Sequence, residues 1–480
     1  MAELALAGLI PLAVLLMAGS VRLADAANPR WNVLLITADD MNWDSPGWTG
    51  NPLKLTPHLD RLAAESYRFV NAHVTVPICQ PGRSALMTGR VPHRNGALGF
   101  NPISTDVPTL VELLRQAGYY TAVLNKSEHM APPAKFPWHT IHQGSGKHPQ
   151  RMREQLEACL QEAAQSQRPF FINANITDPH RPFYGSQQGR QRQEKGKGKA
   201  KQRSAGDAEG IVEPVRPQEV PVPAFLEDLP DIRQELAEYY SSIRRLDLTL
   251  GGLLEALAAS GRQEQTIVVF WSDHGMSFPF SKATVYVNGT RSPVLLRYPG
   301  IGPPRDVTEW VSSVDLMPTL LDLLGLRHPS GLDGRSWMPL VAGQTQPQRD
   351  HVVTHVNTVS SGRAFPQRCV RTATRALMFH AWADGQTRFR VEAMNGLSFN
   401  ALAAAAERDP RIRARVEQFL IGTPLALYDL EKDPAERHNV WDDPAYAADR
   451  QRLSQLLMEH MERTGDPLLT SLREALGRPR

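Results

Sequence analysis

Asn32-Val33-Leu34-Leu35-Ile36-Thr37-Ala38-Asp39-Asp40 is the stretch whose reading decides the fold. A short apolar run that ends in two carboxylates reads as a strand buried on both faces, of the parallel type. Its acids stand at the carboxyl end, where open α/β sheets bind ligands. The same reading repeats outward along the chain. Thr56-Pro57 marks the cap and first residue of a helix to about Ser66, and Arg68 to Val74 is a strand leading to Cys79. A helix from about Pro108 to Ala117, stopped at Gly118, precedes a strand Tyr119 to Leu124 that delivers Asn125-Lys126-Ser127-Glu128-His129. Helical Arg151 to Gln165 precedes a strand Pro169 to Asn175 that delivers Thr177-Asp178-Pro179-His180-Arg181-Pro182. A long helix from about Asp231 carries Leu246, Leu250, Leu253, Leu254 and Leu257 on one stripe. The strand after it, Thr266 to Trp271, delivers Ser272-Asp273-His274-Gly275. Such alternation predicts an α/β fold, a mostly parallel sheet flanked by helices.

Val294 to Tyr298 reads as a further strand, and Val311 to Gly325 as strand end, turn and helix. From about Arg368 the pattern changes. Short β-like runs (Cys369 to Phe379, Thr387 to Ala393) surround helical Phe399 to Leu420, followed by a strand from Leu427 and a helix from Pro444 to about Arg463. The division expected is a leader at 1–26, a catalytic α/β domain at 27–350 and a smaller α+β subdomain at 351–480.

The leader rests on the apolar run Leu4 to Met17 and the small-x-small site Ala24-Asp25-Ala26. It predicts export, to a bacterial periplasm, and the run is too short for a comfortable membrane span. The three cysteines, Cys79, Cys159 and Cys369, are far apart and odd in number, which argues against a disulfide framework or a zinc spacing. The net charge of +3 is uneven. Between Arg190 and Arg203 seven basic side chains face one acid, Glu194, a local +6 that leaves the rest of the chain at −3. This is no nucleic-acid binder with a basic face. The insert, residues 186–210, lacks apolar periodicity and is expected to be disordered, either a solvated loop or an arm that attracts a polyanion.

Asp39, Asp40 and Asp273 each fall at a strand end. Three clustered acids repel one another without a cation, and hard divalent ions take several carboxylate oxygens. Asp39 and Asp40 alone could cap a helix or a turn. With Asp273-His274 and Cys79 in the same topological position, a metal site is the better reading. His274 adds a nitrogen ligand, which calcium tolerates and which leaves magnesium or manganese open. Arg83, Lys126, Lys282, His129 and His180 supply positive charge and proton transfer in the same loops.

The run Cys79-Gln80-Pro81-Gly82-Arg83-Ser84-Ala85-Leu86-Met87-Thr88-Gly89-Arg90 resembles the Cys-x-Pro-x-Arg and Thr-Gly-Arg signature of the sulfatase family. Val33 to Asp40, Asn125 to His129, Thr177 to Pro182, Ser272 to Gly275 with Lys282, Asp333-Gly334-Arg335-Ser336 and Leu427 to Asn439 resemble further family blocks. The resemblance implies the alkaline-phosphatase-like fold. It also implies that Cys79 is oxidised to formylglycine by a formylglycine-generating enzyme, and that one hydroxyl of the aldehyde hydrate attacks sulfur while the second later expels sulfate. Carried over residue by residue, Asp39, Asp40, Asp273 and His274 hold the metal together with modified Cys79. Arg83 holds the nucleophile, Lys126, Lys282 and His180 bind sulfate, and His129 helps collapse the hemiacetal.

Gly82 stands where Ser or Ala is usual, His274 replaces the commoner Asn, and Asn288-Gly289-Thr290-Arg291 is a loose version of a Gly-Gly-x-Arg block. Two residues rather than one separate Lys126 from His129. Within the family the chain looks nearest to heparan N-sulfatases (sulfamidases), from Asp178-Pro179-His180-Arg181 and Phe365-Pro366-Gln367-Arg368-Cys369-Val370-Arg371. Arg181 is then a candidate contact to an acidic sugar. The expected substrate is a sulfated carbohydrate of the N-sulfoglucosamine type. The alternatives are an O-sulfatase on another glycan, a phosphonate monoester or phosphodiester hydrolase, and a glycan-binding relative whose Cys79 is never modified.

Overall fold

A computed structural model describes residues 31–189, 210, 212–300 and 302–477 of the chain. The expected leader, and residues 190–209 of the basic insert, lie outside the described residues. Strand β1 (Asn32–Asp39) is buried along its whole length. Its even-numbered side chains Leu34, Ile36 and Ala38 enter one apolar core and the odd-numbered Val33 and Leu35 the other, on the opposite face of the sheet. Burial on both faces explains the unbroken apolar run.

The remaining strands of this sheet are β2 (Tyr67–His73), β3 (Tyr120–Leu124), β4 (Thr140–His142), β5 (Phe170–Pro179), β6 (Thr266–Ser272), β7 (Val294–Arg297) and β8 (Asp306–Ser312). They lie in the order β4-β3-β5-β1-β6-β7-β2-β8. All pair in parallel except β7, which runs antiparallel to both β6 and β2. β1 is central, paired with β5 and β6, so Asp39, the β5 end and the β6 end emerge side by side. Helices α1 (Pro57–Ala64), α2 (Cys79–Thr88), α3 (Leu110–Gln116), α4 (Pro149–Gln165), α5 (Pro230–Ala259) and α6 (Leu316–Leu323) cover the two faces. On α5, Leu246, Leu250, Leu253 and Leu257 of the predicted stripe are fully buried, and Leu254 is half-buried at its edge. No helix among the described residues is long and apolar enough to cross a membrane.

A second, antiparallel sheet holds β9 (His351–Thr358), β10 (Ala364–Thr372), β11 (Arg375–His380) and β12 (Leu425–Asp429), in the order β12-β11-β10-β9. Two sequence expectations change here. Thr387 to Ala393 is no strand. Phe389, Val391 and Ala393 are buried in alternation with exposed Arg388 and Arg390, which mimics a strand's period, but the segment lies against rings rather than in a ladder. Phe389 packs on Phe365, Trp382 and Phe419, and its N–H donates to the Leu420 carbonyl at 2.8 Å. Phe399 to Leu420 is two helices, α7 (Leu397–Ala406) and α8 (Pro410–Ile421). Pro410 has no N–H to give and keeps Asp409 extended, so one helix ends and a new one starts, capped by Asp409. Val356, Phe365, Phe419 and Tyr428 share one apolar core with Leu34 and Ile36, which fixes the second sheet against the first. Helices α9 (Ala447–Thr464) and α10 (Leu469–Gly477) close the C-terminal part.

Candidate active site

Cys79 is the first residue of α2, a helix in which all ten residues are buried. Its side chain therefore sits where unpaired helix N–H groups and the positive end of the helix favour an anion. Arg83, one turn on, ties this helix to three strands. It donates to Thr37 Oγ1 at 3.0 Å, to Asn175 Oδ1 at 2.6 Å and to Asp273 Oδ2 at 2.9 Å. Gly82 has a local reason. A Cβ there would stand 2.7 Å from the Val76 carbonyl oxygen, so a larger residue would force the loop before Cys79 to shift.

The acids predicted at the strand ends converge on Cys79. Its Sγ lies 3.5 Å from Asp39 Oδ1 and 3.2 Å from His274 Nε2. The Asp40 N–H donates to Asp273 Oδ1 at 3.1 Å. His274 Nδ1 lies 3.0 Å from the Gly275 carbonyl, which can only accept, so Nδ1 donates there and Nε2 is turned toward Cys79. Ligand atoms of Asp39, Cys79, Asp273 and His274 all fall within 4.8 Å of one another, as do those of Asp39, Asp40, Cys79 and His180. Three buried carboxylates and an imidazole nitrogen fit a divalent cation. Asp40, Asn125 and Lys126 hold positive φ angles of 73°, 61° and 58°. Such backbone strain gathers where side chains are aimed for function.

Lysines balance these acids. Lys126 pairs with Asp39, and Lys282 Nζ stands 2.9 Å from Asp40 Oδ1. Burial opposes ionisation of Asp39, yet Lys126, then His180 and Arg83, hold its carboxyl well below the usual range. Burial likewise works against the Lys282 ammonium, but Asp40 and Cys79 raise its pKa well above the ordinary value. The Cys79 thiol is driven well up by burial, opposed by Lys282 and reinforced by Asp39 and Asp273, so it stays protonated. A protonated thiol is a poor nucleophile.

Above Cys79 opens a cavity of about 230 Å³, walled by Phe100, Lys126, His129, His180, Lys282, Val359 and Glu392 among others. Burial, then Lys126 and Arg83, push His129 down to about 3, so it is neutral at neutral pH. A short turn, Ser127–His129, carries this ring back over the cavity despite the extra residue after Lys126. Burial, then Lys282, also lower His180, with Asp40 opposing. A larger hollow of about 440 Å³ beside Trp48, Arg68 and Asp306 contains none of these groups, so chemistry rather than size selects the site.

Every predicted site residue reaches this centre except one. Arg181 turns away from the cavity, 2.6 Å from Glu235 and donating to the Ser277 carbonyl at 2.9 Å. Glu392 is the residue that sequence reasoning missed. It comes from the C-terminal part, at the start of a turn, Glu392–Asn395, and its Oε2 lies 3.1 Å from Lys282 Nζ. Nothing in Val391-Glu392-Ala393 distinguishes that acid from a surface charge.

Comparison with known proteins agrees with this geometry. A family model described as Sulfatase matches residues 31–326, and one described as N-sulphoglucosamine sulphohydrolase, C-terminal, matches residues 273–385. Human N-sulphoglucosamine sulphohydrolase is 31% identical, over 95% of this chain and 93% of its own length. Among solved structures, one in complex with its substrate D-glucosamine-2-N,6-O-disulfate superposes with a TM-score of 0.67, at 19% identity over 91% of this chain and 99% of its own. The phosphonate monoester hydrolase of Agrobacterium radiobacter superposes with a TM-score of 0.66, at 18% identity over 91% of this chain and 96% of its own.

Proposed function

The chain belongs to the sulfatase family, and from that premise we propose that it removes the N-linked sulfate of glucosamine in heparan-type glycans. It does so with Cys79 oxidised to formylglycine and a divalent cation, calcium before magnesium or manganese, held by Asp39, Asp40, Asp273 and His274. The observation that carries this reading is the cavity floor. A protonated thiol, useless as it stands, lies between a carboxylate and an imidazole nitrogen beneath two lysines and two histidines. The similarity to human N-sulphoglucosamine sulphohydrolase supports the N-linked substrate.

The residues divide the work. Lys126 and Lys282 face the cavity as cations and hold the three sulfate oxygens, where their charge counts most as the S–N bond lengthens. Arg83 locks the first turn of α2 and Asp273 in one arrangement, which fixes the reacting side chain. His129 enters neutral and takes a proton. His180 turns Nδ1 to the Arg181 carbonyl at 2.6 Å, so the neutral ring keeps its proton there and Nε2 faces the cavity as a base, which can pass a proton to the departing amine once it has taken one up. The modified Cys79 and its cation supply, when present, a hydrated aldehyde as oxygen nucleophile and a Lewis acid for the sulfate oxygens. Export by the leader at 1–26 to a periplasm, and maturation by a formylglycine-generating enzyme, complete the proposal.

Product analysis on defined heparan oligosaccharides tests it, with N- and O-sulfate loss scored separately. Release of sulfate from glucosamine nitrogen with O-sulfates retained is the expected result. Loss of O-sulfate alone, or faster turnover of an aryl phosphonate than of any sulfate, would overturn it.

A further inference from the structure

Glu392 is the one carboxylate among the described residues that line the cavity. An acid facing a pocket built for an anion weakens sulfate binding, so its place calls for a reason. Charge balance is not that reason, because Lys282 already has Asp40 at 2.9 Å. Nor is Glu392 sealed in. Its side chain is 28% exposed, against 0% for Asp40. Its Oε1 lies 3.7 Å from His180 Nε2, the nitrogen left facing the cavity.

The chemistry of the leaving atom supplies a reason. When an oxygen nucleophile bonds to sulfur and the S–N bond breaks, the electron pair passes to nitrogen. The nitrogen takes a proton from the imidazolium form of His180 while it is still bonded to sulfur, which makes it R–NH2+–SO3−, and it then leaves with the bonding pair as a neutral amine. Positive charge thus gathers on the leaving atom of an N-sulfate. The leaving oxygen of an O-sulfate gathers negative charge instead. We propose that Glu392 is the specificity-determining residue for N-linked sulfate, its carboxylate meeting the leaving nitrogen and stabilising its positive charge. This rests on the N-sulfate reading above and assigns the residue that enforces it.

The mounting of Glu392 fits the role. The loop that carries it leads into α7, whose Leu397 and Ser398 N–H groups donate to Glu235 at 3.0 and 2.8 Å. Arg181 holds Glu235 from the other side. Arg181 thus anchors the segment that bears the selecting acid.

Glu392→Gln keeps the shape and removes the charge. It should lower kcat/KM on N-sulfoglucosamine roughly 100-fold, while kcat/KM on 4-nitrophenyl sulfate, whose leaving group never becomes cationic, should not fall. Glu392→Asp should recover part of the lost N-sulfate activity. Inhibition by glucosamine, the ammonium product, should weaken roughly tenfold in Glu392→Gln, and inhibition by N-acetylglucosamine should not move. Equal loss on both substrates with unchanged glucosamine inhibition would overturn the assignment and reduce Glu392 to a positioning residue for Lys282. A wild-type enzyme that turns over O-sulfates and leaves N-sulfoglucosamine intact would overturn the N-sulfate reading itself, and the assignment with it.

Discussion

Two buried clusters in this molecule use the same side chains to opposite ends. Around Cys79, three carboxylates face Arg83, Lys126, Lys282 and His274 beneath a cavity that Cys79 and the two lysines line. Elsewhere Asp466 meets Arg368, His93, His355 and His460, none of which lines that cavity. There Arg368, fully buried, donates Nε to Asp466 Oδ2 at 2.5 Å and Nη2 to Oδ1 at 3.0 Å. His355 and His460 meet Nε2 to Nε2 at 3.2 Å, and His93 Nε2 donates to the Thr464 carbonyl at 3.1 Å. One guanidinium takes both oxygens of Asp466, and the Nδ1 atoms of His93 and His355 stand 3.8 and 3.7 Å from its Oδ2. Asp39 and Asp40 are paired instead with lysines that also line the cavity and can exchange a carboxylate for a substrate oxygen. Buried charge closed on itself is a staple, and buried charge facing a cavity is chemistry.

Paired substitutions break the comparison most sharply. Cys79→Ala should reduce sulfate release to background and leave the melting temperature unchanged. Arg368→Ala should do the reverse. It strands a buried Asp466, costs about 3–5 kcal/mol of stability, and leaves the protein that remains folded with near-normal kcat. Loss of stability in the first, or of kcat alone in the second, would mean the clusters are not separable.

Acid sharpens the contrast more gently. His460 is pushed down to about 3 by burial, then Arg463, and His380 to about 4 by burial. Both titrate near 6.5 once unfolded. Between those values the unfolded chain binds more protons than the folded one, so stability falls as pH falls. The slope is up to about 1.4 kcal/mol per pH unit for each such histidine. Thermal melts from pH 7 to pH 4 should show this, and His460→Gln should flatten the slope. A melting temperature that rises toward pH 4 would contradict it.

Asp39, Asp40, Asp273, Lys126, His129 and His180 were legible in the sequence because each follows an apolar run that is almost wholly buried, whereas Cys79 and Lys282 were read from the resemblance to the sulfatase blocks. Direction was harder to read. Nothing in Val294 to Arg297 tells that β7 runs antiparallel, since a buried strand looks the same either way. Thr387 to Ala393 misled because alternate burial against rings repeats with a strand's period. Arg181, expected at the substrate, pairs with Glu235, and Glu392, to which the sequence reading gave no place, lines the cavity. Which of two charged residues faces the cavity depends on how the C-terminal segment packs across the sheet, and local spacing carries no trace of that.

Mass spectrometry of the Cys79 peptide, from protein purified out of its native host, tests the central claim most directly. The prediction is a residue that has lost its sulfur, carries an aldehyde and forms a hydrazone with a carbonyl reagent. An intact thiol at Cys79 in protein that still releases sulfate would contradict the account.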